Sequence, residues 1–173
     1  MGKDTTLSPK RVLCLFQSGG LSHVDLFDDK PALHAHAGQE IPPSVKGSQR
    51  LTGMTSNQSA YPVVPPLRPG RRCGAHGTWI SDLLPHHQRI ADELCVVRSM
   101  VADFTEHANA NLFLHTGSNQ QGRPSVGSWV TYGVGSESQD LPGYIVLKGG
   151  NIPAGGPDNF HSGYLPAVYQ GSI

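Results

Sequence analysis

Two residues near the start of the chain, His23 and Asp25, are of the types that bind divalent metal ions. Their i, i+2 spacing places both side chains on the same side of an extended backbone, so they could share one cation. Gly19 and Gly20 precede them and would let the backbone turn tightly beside a ligand. The same segment could instead be a turn in which Asp and Ser side chains bond to the local backbone. The spacing leaves both interpretations open.

A second group of reactive side chains lies at the predicted start of a helix. His107 is expected in its first turn, where free N–H groups and a partial positive charge favour an oxyanion or a phosphate-like ligand. Thr105 is a near neighbour, and a base or a metal could activate its hydroxyl. In the alternative interpretation, Asp103, Thr105 and Glu106 cap the helix, and His107 is a packed or surface histidine.

Arg123 precedes another predicted helix start. Its guanidinium could bind a tetrahedral oxyanion through two parallel hydrogen bonds, or it could pair with one of the few carboxylates of the chain. The sequence contains no Walker A loop, GxGxxG motif, GxSxG nucleophile elbow or HExxH helix. Several common enzyme classes therefore lack their usual signature here.

The elements that would position these residues are those of a parallel α/β sheet. Residues 11–16 are a continuous apolar run, which is typical of a strand buried on both faces. A helix is predicted over 81–94 with Ser81 as its N-cap, and a β-branched strand over 95–99 follows it. Strand, helix and strand in this order indicate a parallel sheet, and ligands gather at the carboxyl ends of its strands.

Two more helices and a third strand are predicted further along the chain. A helix begins at Asp103 and ends at Thr116-Gly117, and another runs from Pro124 to Tyr132. The third strand covers 144–147. Elsewhere Gly and Pro, 21 and 14 of 173 residues, predict irregular structure.

The longest irregular segment is predicted over 33–78, with a short helix over Pro31–His36 at its start. A loop of this length in a compact domain is usually a lid, a binding loop or disordered. It could therefore cover a site.

Composition excludes some classes of partner. Thirteen basic and thirteen acidic residues give no net charge to attract nucleic acid or an anionic membrane. No apolar run approaches the roughly 20 residues that span a bilayer, and the leader Met1–Lys10 lacks the apolar stretch of a secretory signal. Three cysteines without a CxxC pair argue against a disulfide scaffold, and Cys14 and Cys95 are expected to be buried as small hydrophobic residues.

Many short segments resemble the bacterial domain of unknown function 1501. They occur in order from about Arg11 to the last residue: 18–28, 53–59, 83–86, 90–94, 98–100, 115–117, 122–133, 141–142, 163–166 and 169–171. That family is similar to sulfatases and alkaline phosphatases. The resemblance therefore implies a partial three-layer sandwich of the alkaline phosphatase type, in which helices flank a mostly parallel sheet.

The resemblance implies one incomplete domain over 1–173. Its parts are a first strand and turn (10–32), a long loop (33–78), a helix–strand–helix–helix–strand part (79–148) and a loop tail (149–173). Relatives continue past the equivalent of Ile173 and take further Asp and His metal ligands from there. On this basis the missing C-terminal half is expected in a complete domain, and this product is expected to bind metal weakly and to turn over little.

For chemistry, the resemblance implies a metal-dependent hydrolase of phosphate or sulfate esters of small molecules or glycans. Asp25, with His23, would occupy the place of a metal ligand for zinc, calcium or magnesium. His107 lies near the position of the relatives' nucleophile, with Thr105 beside it, and Arg123 would steady the anion. Sulfatases have a Cys or Ser at that position and phosphatases a Ser or Thr, so His107 departs from both patterns.

Two other interpretations compete with the hydrolase. The chain could be a non-catalytic binding or assembly module that keeps the fold and uses 33–78 as a partner surface, or a gene fragment without a function of its own. Relatives are often exported to the periplasm or beyond the cell, whereas this leader carries no signal of that kind.

Overall fold

The computed structural model describes residues 11–48, 53–150 and 152–173. The leader Met1–Lys10, and with it the expected lack of an export signal, lies outside them. The described residues form these elements in chain order: a 3₁₀ turn His23–Asp25, helices α1 (Pro31–Ala35) and α2 (Pro43–Lys46), strands β1 (Gly70–Cys73) and β2 (Thr78–Ser81), helix α3 (Pro85–Arg89), a 3₁₀ turn Ala91–Glu93, helices α4 (His107–Thr116) and α5 (Val126–Val134), and 3₁₀ turns Gly156–Phe160 and Ala167–Tyr169. None of the helices in this part of the chain is long and apolar enough to cross a membrane.

A β-hairpin with α3 beside it forms the first packing cluster. Strands β1 and β2 pair antiparallel, with Gly70 opposite Ser81. Ile80 is fully buried, and the N–H of Ser81 donates to the carbonyl of Leu26 at 2.9 Å, which ties the turn at 23–28 to the hairpin. The buried apolar residues of this cluster are Cys73, Ile80 and Ala91, with Phe27, Leu84 and Leu94 packed against them.

Helices α4 and α5, together with the tail of the chain, form the second cluster. Its interior is largely polar: Ser125, Ser128 and Asn159 are fully buried. The Oγ atoms of Ser125 and Ser128 lie 3.0 Å apart, and Ser128 Oγ donates to the carbonyl of His161 at 3.1 Å. The N–H of Ser125 donates to the same carbonyl at 2.9 Å. Because buried polar groups must be paired, these bonds fix the tail to the start of α5.

Gly163 lies where the tail passes closest to the start of α5. Its φ is 57°, and a Cβ atom there would lie 2.5 Å from the backbone nitrogen of Pro124 and 2.6 Å from the carbonyl oxygen of Gly122. Both neighbours are backbone atoms, which cannot move aside as the end of a flexible side chain can. The position therefore requires glycine both for its conformation and for its space.

His115 is buried on α4 between two aromatic rings. Its ring centroid lies 4.7 Å from that of Phe16 and 5.4 Å from that of Phe160, both edge to face. Its Nε2 has no hydrogen-bond partner among the described residues. Burial lowers the pKa of His115 below its ordinary value of 6.5, so the ring is neutral at neutral pH.

The predicted helices are present, with different ends. Glu106, rather than Asp103, is the N-cap of α4, while Gly117 ends it in the left-handed conformation as predicted. Ser125 is the N-cap of α5, so Pro124 stands outside the helix. The helix predicted from Ser81 begins only at Pro85, because Ser81 is paired in β2. The short helix predicted over Pro31–His36 is confirmed as α1.

The predicted strands differ more from the structure than the predicted helices do. Among the described residues, neither 11–16 nor 95–99 lies in a strand, and the side chains of Val12, Leu13 and Leu15 are exposed. Of 144–147, only Ile145 pairs, in a parallel bridge with Ser172. A strand requires a ladder partner, and these runs have none along most of their length. The only sheet in the described residues is the antiparallel hairpin, so the three-layer sandwich with a mostly parallel sheet stays a prediction.

The segment 33–78 is less irregular than predicted, since it contains α2 and β1. Strand β1 contains two consecutive arginines, Arg71 and Arg72, so it lacks the alternation of polar and apolar residues that is typical of a strand. It forms because β2 pairs with it.

The expectation for the cysteines was wrong. Cys14 and Cys95 are exposed, and Cys73 is buried. The runs that carry the two exposed thiols form no strand, whereas Cys73 ends β1 and packs in the hairpin core.

Alanine at Gly163 is expected to destabilise the fold more than alanine at Gly117. Both substitutions place a Cβ in the left-handed region, at about 1–2 kcal/mol. A Cβ at Gly117 meets nothing within 4 Å, whereas at Gly163 it collides with backbone, which adds about 1–3 kcal/mol. Urea unfolding of both variants measures the difference. Equal losses would show that the contact at Gly163 is not tight.

The free energy of unfolding is expected to fall as the pH drops below about 6.5, because the unfolded chain binds a proton on His115 before the folded chain does. The loss continues as the pH falls through the lowered folded pKa. His115→Gln and His115→Phe remove this dependence, so their stability between about pH 7.5 and 5.5 changes less than that of the unmodified chain. Urea titrations across this window provide the measurement, and equal pH dependence in all three proteins would contradict it.

Candidate functional site

His23 and Asp25 lie in a single 3₁₀ turn and not in extended backbone. With about three residues per turn, two residues at i, i+2 are about two-thirds of a turn apart, so their side chains do not point the same way. Asp25 Oδ1 accepts the N–H of Leu67 at 2.7 Å. The Ser22 side chain and then the Leu67 N–H lower the pKa of Asp25. The bond to Leu67 joins residues 42 positions apart, so it is not the local backbone contact of the turn interpretation.

The carboxylate of Asp28, which the sequence pattern did not single out, has three basic side chains around it. Lys30 Nζ lies 2.8 Å away, and His23 Nε2 and Arg98 Nη1 are each 3.9 Å away. The hydrogen bond from Lys30 is the main cause that lowers the pKa of Asp28. A lysine and an arginine already neutralise this carboxylate, so a divalent cation would have to displace them.

The donors around His23 do not form a metal site as they lie. Within 11–48, 53–150 and 152–173, no three His, Cys, Asp or Glu side chains are grouped to hold a metal ion. Catalytic zinc sites usually take three protein ligands. His23 and Asp25 supply two donors, and one oxygen of Asp25 is already bound to Leu67. The fit to a metal is therefore incomplete, and the metal role of both residues stays a prediction.

His107 lies in the first turn of α4, as predicted, and is its first residue; its side chain and that of Thr105 are exposed. Two of the N–H groups at this helix start are already used. The carboxylate of Glu106 accepts from the N–H of Asn109 at 2.6 Å and of Ala108 at 2.9 Å, and these bonds, that of Asn109 first, lower the pKa of Glu106. An anion of the chain itself thus takes the place where the sequence predicted a bound oxyanion.

Arg123 lines an open depression at the other end of α4. The depression has a volume of about 360 Å³ and is bordered by Thr116, Gly117, Ser118, Arg123, Pro124 and Tyr164. The Arg123 side chain is exposed and has no ion pair or hydrogen bond with any described residue. The alternative in which it pairs with a carboxylate is therefore not realised in this part of the chain. Ser118 contributes a hydroxyl beside it.

The structure does not bring the predicted catalytic residues together. Helix α4 has ten residues, so its two ends are about 14 Å apart. His107 lies at the first end, with Thr105 before it, and Arg123 lies beside Thr116 at the second end. The two residues therefore extend from backbone positions about one helix length apart.

Four aromatic side chains, here called the aromatic row, lie along α5 between two depressions. Trp129 and Tyr132 are one helical turn apart, at a centroid distance of 6.0 Å. Tyr164 lies 6.1 Å from Trp129 and also borders the Arg123 depression, and Tyr169 lies 5.3 Å from Tyr132. The i, i+3 spacing of the first pair was visible in the sequence. The two tyrosines of the tail reach the row only through the fold.

Comparison with known proteins gives one match. No curated protein and no solved structure matches this chain. Residues 9–172, nearly the whole chain, match the family described as "Protein of unknown function (DUF1501)", and the chain therefore belongs to this family.

Proposed function

We propose that this chain provides the anion-binding part of a phosphate- or sulfate-ester site in a sulfatase- or phosphatase-like hydrolase, with Arg123 as the group that binds the oxyanion. The observation that carries the proposal is an exposed guanidinium, without a carboxylate partner among the described residues, at a depression of about 360 Å³. A guanidinium presents a planar fork of donors that matches a tetrahedral oxyanion.

The backbone of Arg123 is held in place although its side chain is free. Pro124 and Ser125, the next two residues, are fully buried, and the N–H of Ser125 is bonded to His161. Gly163 packs against the carbonyl carbon of Arg123. Because the backbone at Arg123 is already ordered, binding an anion costs only the rotamer freedom of the side chain.

In such a hydrolase, His23 and Asp25 would contribute two of the metal donors, and His107 or Thr105 would take part in the chemistry. A divalent metal supplies a Lewis acid for the ester oxygen when it is bound. Because His107 lies at the far end of α4 from Arg123, hydrolysis needs a substrate or a rearrangement that spans this distance.

The second candidate function is a binding module without catalysis. Two observations favour it: Glu106 occupies the helix start beside His107, and His107 and Arg123 lie at opposite ends of α4. Both candidates require Arg123 to bind an anion, and they differ in whether an ester is cleaved.

Arg123→Ala is expected to weaken binding of inorganic phosphate or sulfate about tenfold or more, since a hydrogen bond to a charged group contributes about 1.5–3 kcal/mol. Arg123→Lys keeps the charge but not the fork, and it loses less. Arg89→Ala, at an exposed arginine of α3, is the matched control and leaves binding unchanged. Isothermal titration calorimetry of the complete chain measures all four proteins. Equal binding by Arg123→Ala and the unmodified chain would refute the anion site.

Hydrolysis of aryl phosphate and aryl sulfate, with added zinc, calcium or magnesium, separates the two candidates. The hydrolase predicts that His107→Ala or Asp25→Ala lowers turnover while phosphate binding at Arg123 stays intact. If neither the unmodified chain nor any variant releases aryl alcohol faster than the uncatalysed reaction does, the hydrolase is rejected and the binding module stands.

A further inference from the structure

The chain exposes more surface than a compact monomer of its size. Its accessible surface is 13181 Å², whereas a folded monomer of 18.5 kDa exposes about 8,200 Å². The residues outside the described ranges, even when counted at the surface of an extended chain, account for only about 2,300 Å² of the excess. About 2,600 Å² of additional surface therefore belongs to the described residues. Each partner of an obligate dimer buries about 1,000–2,500 Å², so this area is sufficient for one.

Residues 12–16, here called the unpaired segment, contribute apolar side chains to this surface. Val12 is 65% exposed, and Leu13 and Leu15 are each 82% exposed. No backbone N–H or carbonyl of the segment is hydrogen-bonded to a described residue. Free backbone groups beside apolar side chains are the template on which another extended chain pairs.

The side chains of the unpaired segment alternate in direction. The ring of Phe16 packs edge to face on the buried His115. Burial is the main cause that raises the pKa of Tyr144, and the nearby thiol of Cys14 adds to it. The leucines at 13 and 15 are instead directed to solvent. This period of two is that of extended backbone, so the segment is already arranged as one strand of a pair.

Charge favours a second copy of the chain as the partner. Thirteen basic and thirteen acidic residues balance, so no net charge keeps two copies apart. Exposed strands are usually protected from pairing with their own kind by a charge or a proline. The unpaired segment contains neither. In the other exposed apolar segment, 95–101, Arg98 interrupts the run and lies 3.9 Å from Asp28.

The unpaired segment also complements itself in antiparallel pairing. A two-fold axis that pairs its whole length passes through the central residue, Cys14. Val12 then lies opposite Phe16 of the second copy, and Leu13 lies opposite Leu15 of the second copy. Apolar cross-strand pairs of this kind stabilise a sheet. A different protein would need a matching apolar strand, whereas a second copy supplies one by symmetry.

We infer that the chain forms a two-fold symmetric dimer in which residues 12–16 of the two copies pair as antiparallel strands. Ile145 and Leu147, in the segment that begins at Tyr144 near Cys14, are exposed and enlarge the apolar surface beside the pair. The dimer does not depend on the proposed anion site, because Arg123 is held by the tail of the chain.

Sedimentation velocity of the complete chain is expected to show a dimer. Leu13→Lys places a charge in the paired strand and is expected to raise the dissociation constant of the dimer about tenfold or more. The matched control is Leu67→Lys, the same change at a leucine that is 75% exposed outside the segment, and it leaves the dimer intact. Far-UV circular dichroism verifies that both variants keep the fold.

Oxidative cross-linking tests the register. Opposite residues of antiparallel strands have Cα atoms about 4.5–5.5 Å apart, and a disulfide spans Cα distances of about 4.4–6.8 Å. Cys14 and Cys95 are both exposed. With copper phenanthroline, the unmodified chain and Cys95→Ser are expected to form a covalent dimer that a thiol reductant reverses. Cys14→Ser is expected to stay uncross-linked.

Four outcomes would overturn the dimer. The first two are a monomeric unmodified chain at the concentrations used for calorimetry, and assemblies larger than a dimer. The third is cross-linking that depends on Cys95 and not on Cys14. The fourth is a dimer that Leu13→Lys leaves intact and Trp129→Lys dissociates, which would place the interface at the aromatic row.

Discussion

The contact between the tail and the start of α5 is the constraint on which the proposed site depends. One carbonyl, that of His161, accepts both the N–H of Ser125 and the hydroxyl of Ser128. Two residues further on, Gly163 lies against the backbone of Pro124 without space for a side chain. This contact fixes the base of Arg123 and brings Tyr164 beside Trp129. Without it, the tail would not border the depression, and Tyr164 would not lie at one end of the aromatic row.

The two ends of α4 differ in how their charges are paired. At the start, Glu106 supplies the negative charge that the helix N-terminus favours. At the far end, the chain places Arg123 without a carboxylate partner in the described residues. The proposed anion site therefore lies at the guanidinium and not at the helix start that the sequence pattern favoured.

The features that the sequence predicted are those with a local physical cause. Gly117 ends α4 because glycine adopts the left-handed conformation readily, and Pro31 begins α1 because it has no N–H to lose. The features that it missed depend on distant partners. Arg71 pairs in β1 only because β2 lies beside it, and Gly163 resembles any other glycine of the tail until Pro124 is seen next to it.

The predicted metal donors and the proposed anion site depend on different contacts. Asp25 is held by Leu67, and the turn that carries it is tied to the hairpin through the bond from Ser81 to Leu26. Arg123 is held by the tail, in the second cluster. Apolar contact stabilises the first cluster, whereas hydrogen bonds among buried serines stabilise the second. The proposed binding of an anion at Arg123 therefore does not depend on the predicted metal donors, so such binding could persist where catalysis is absent.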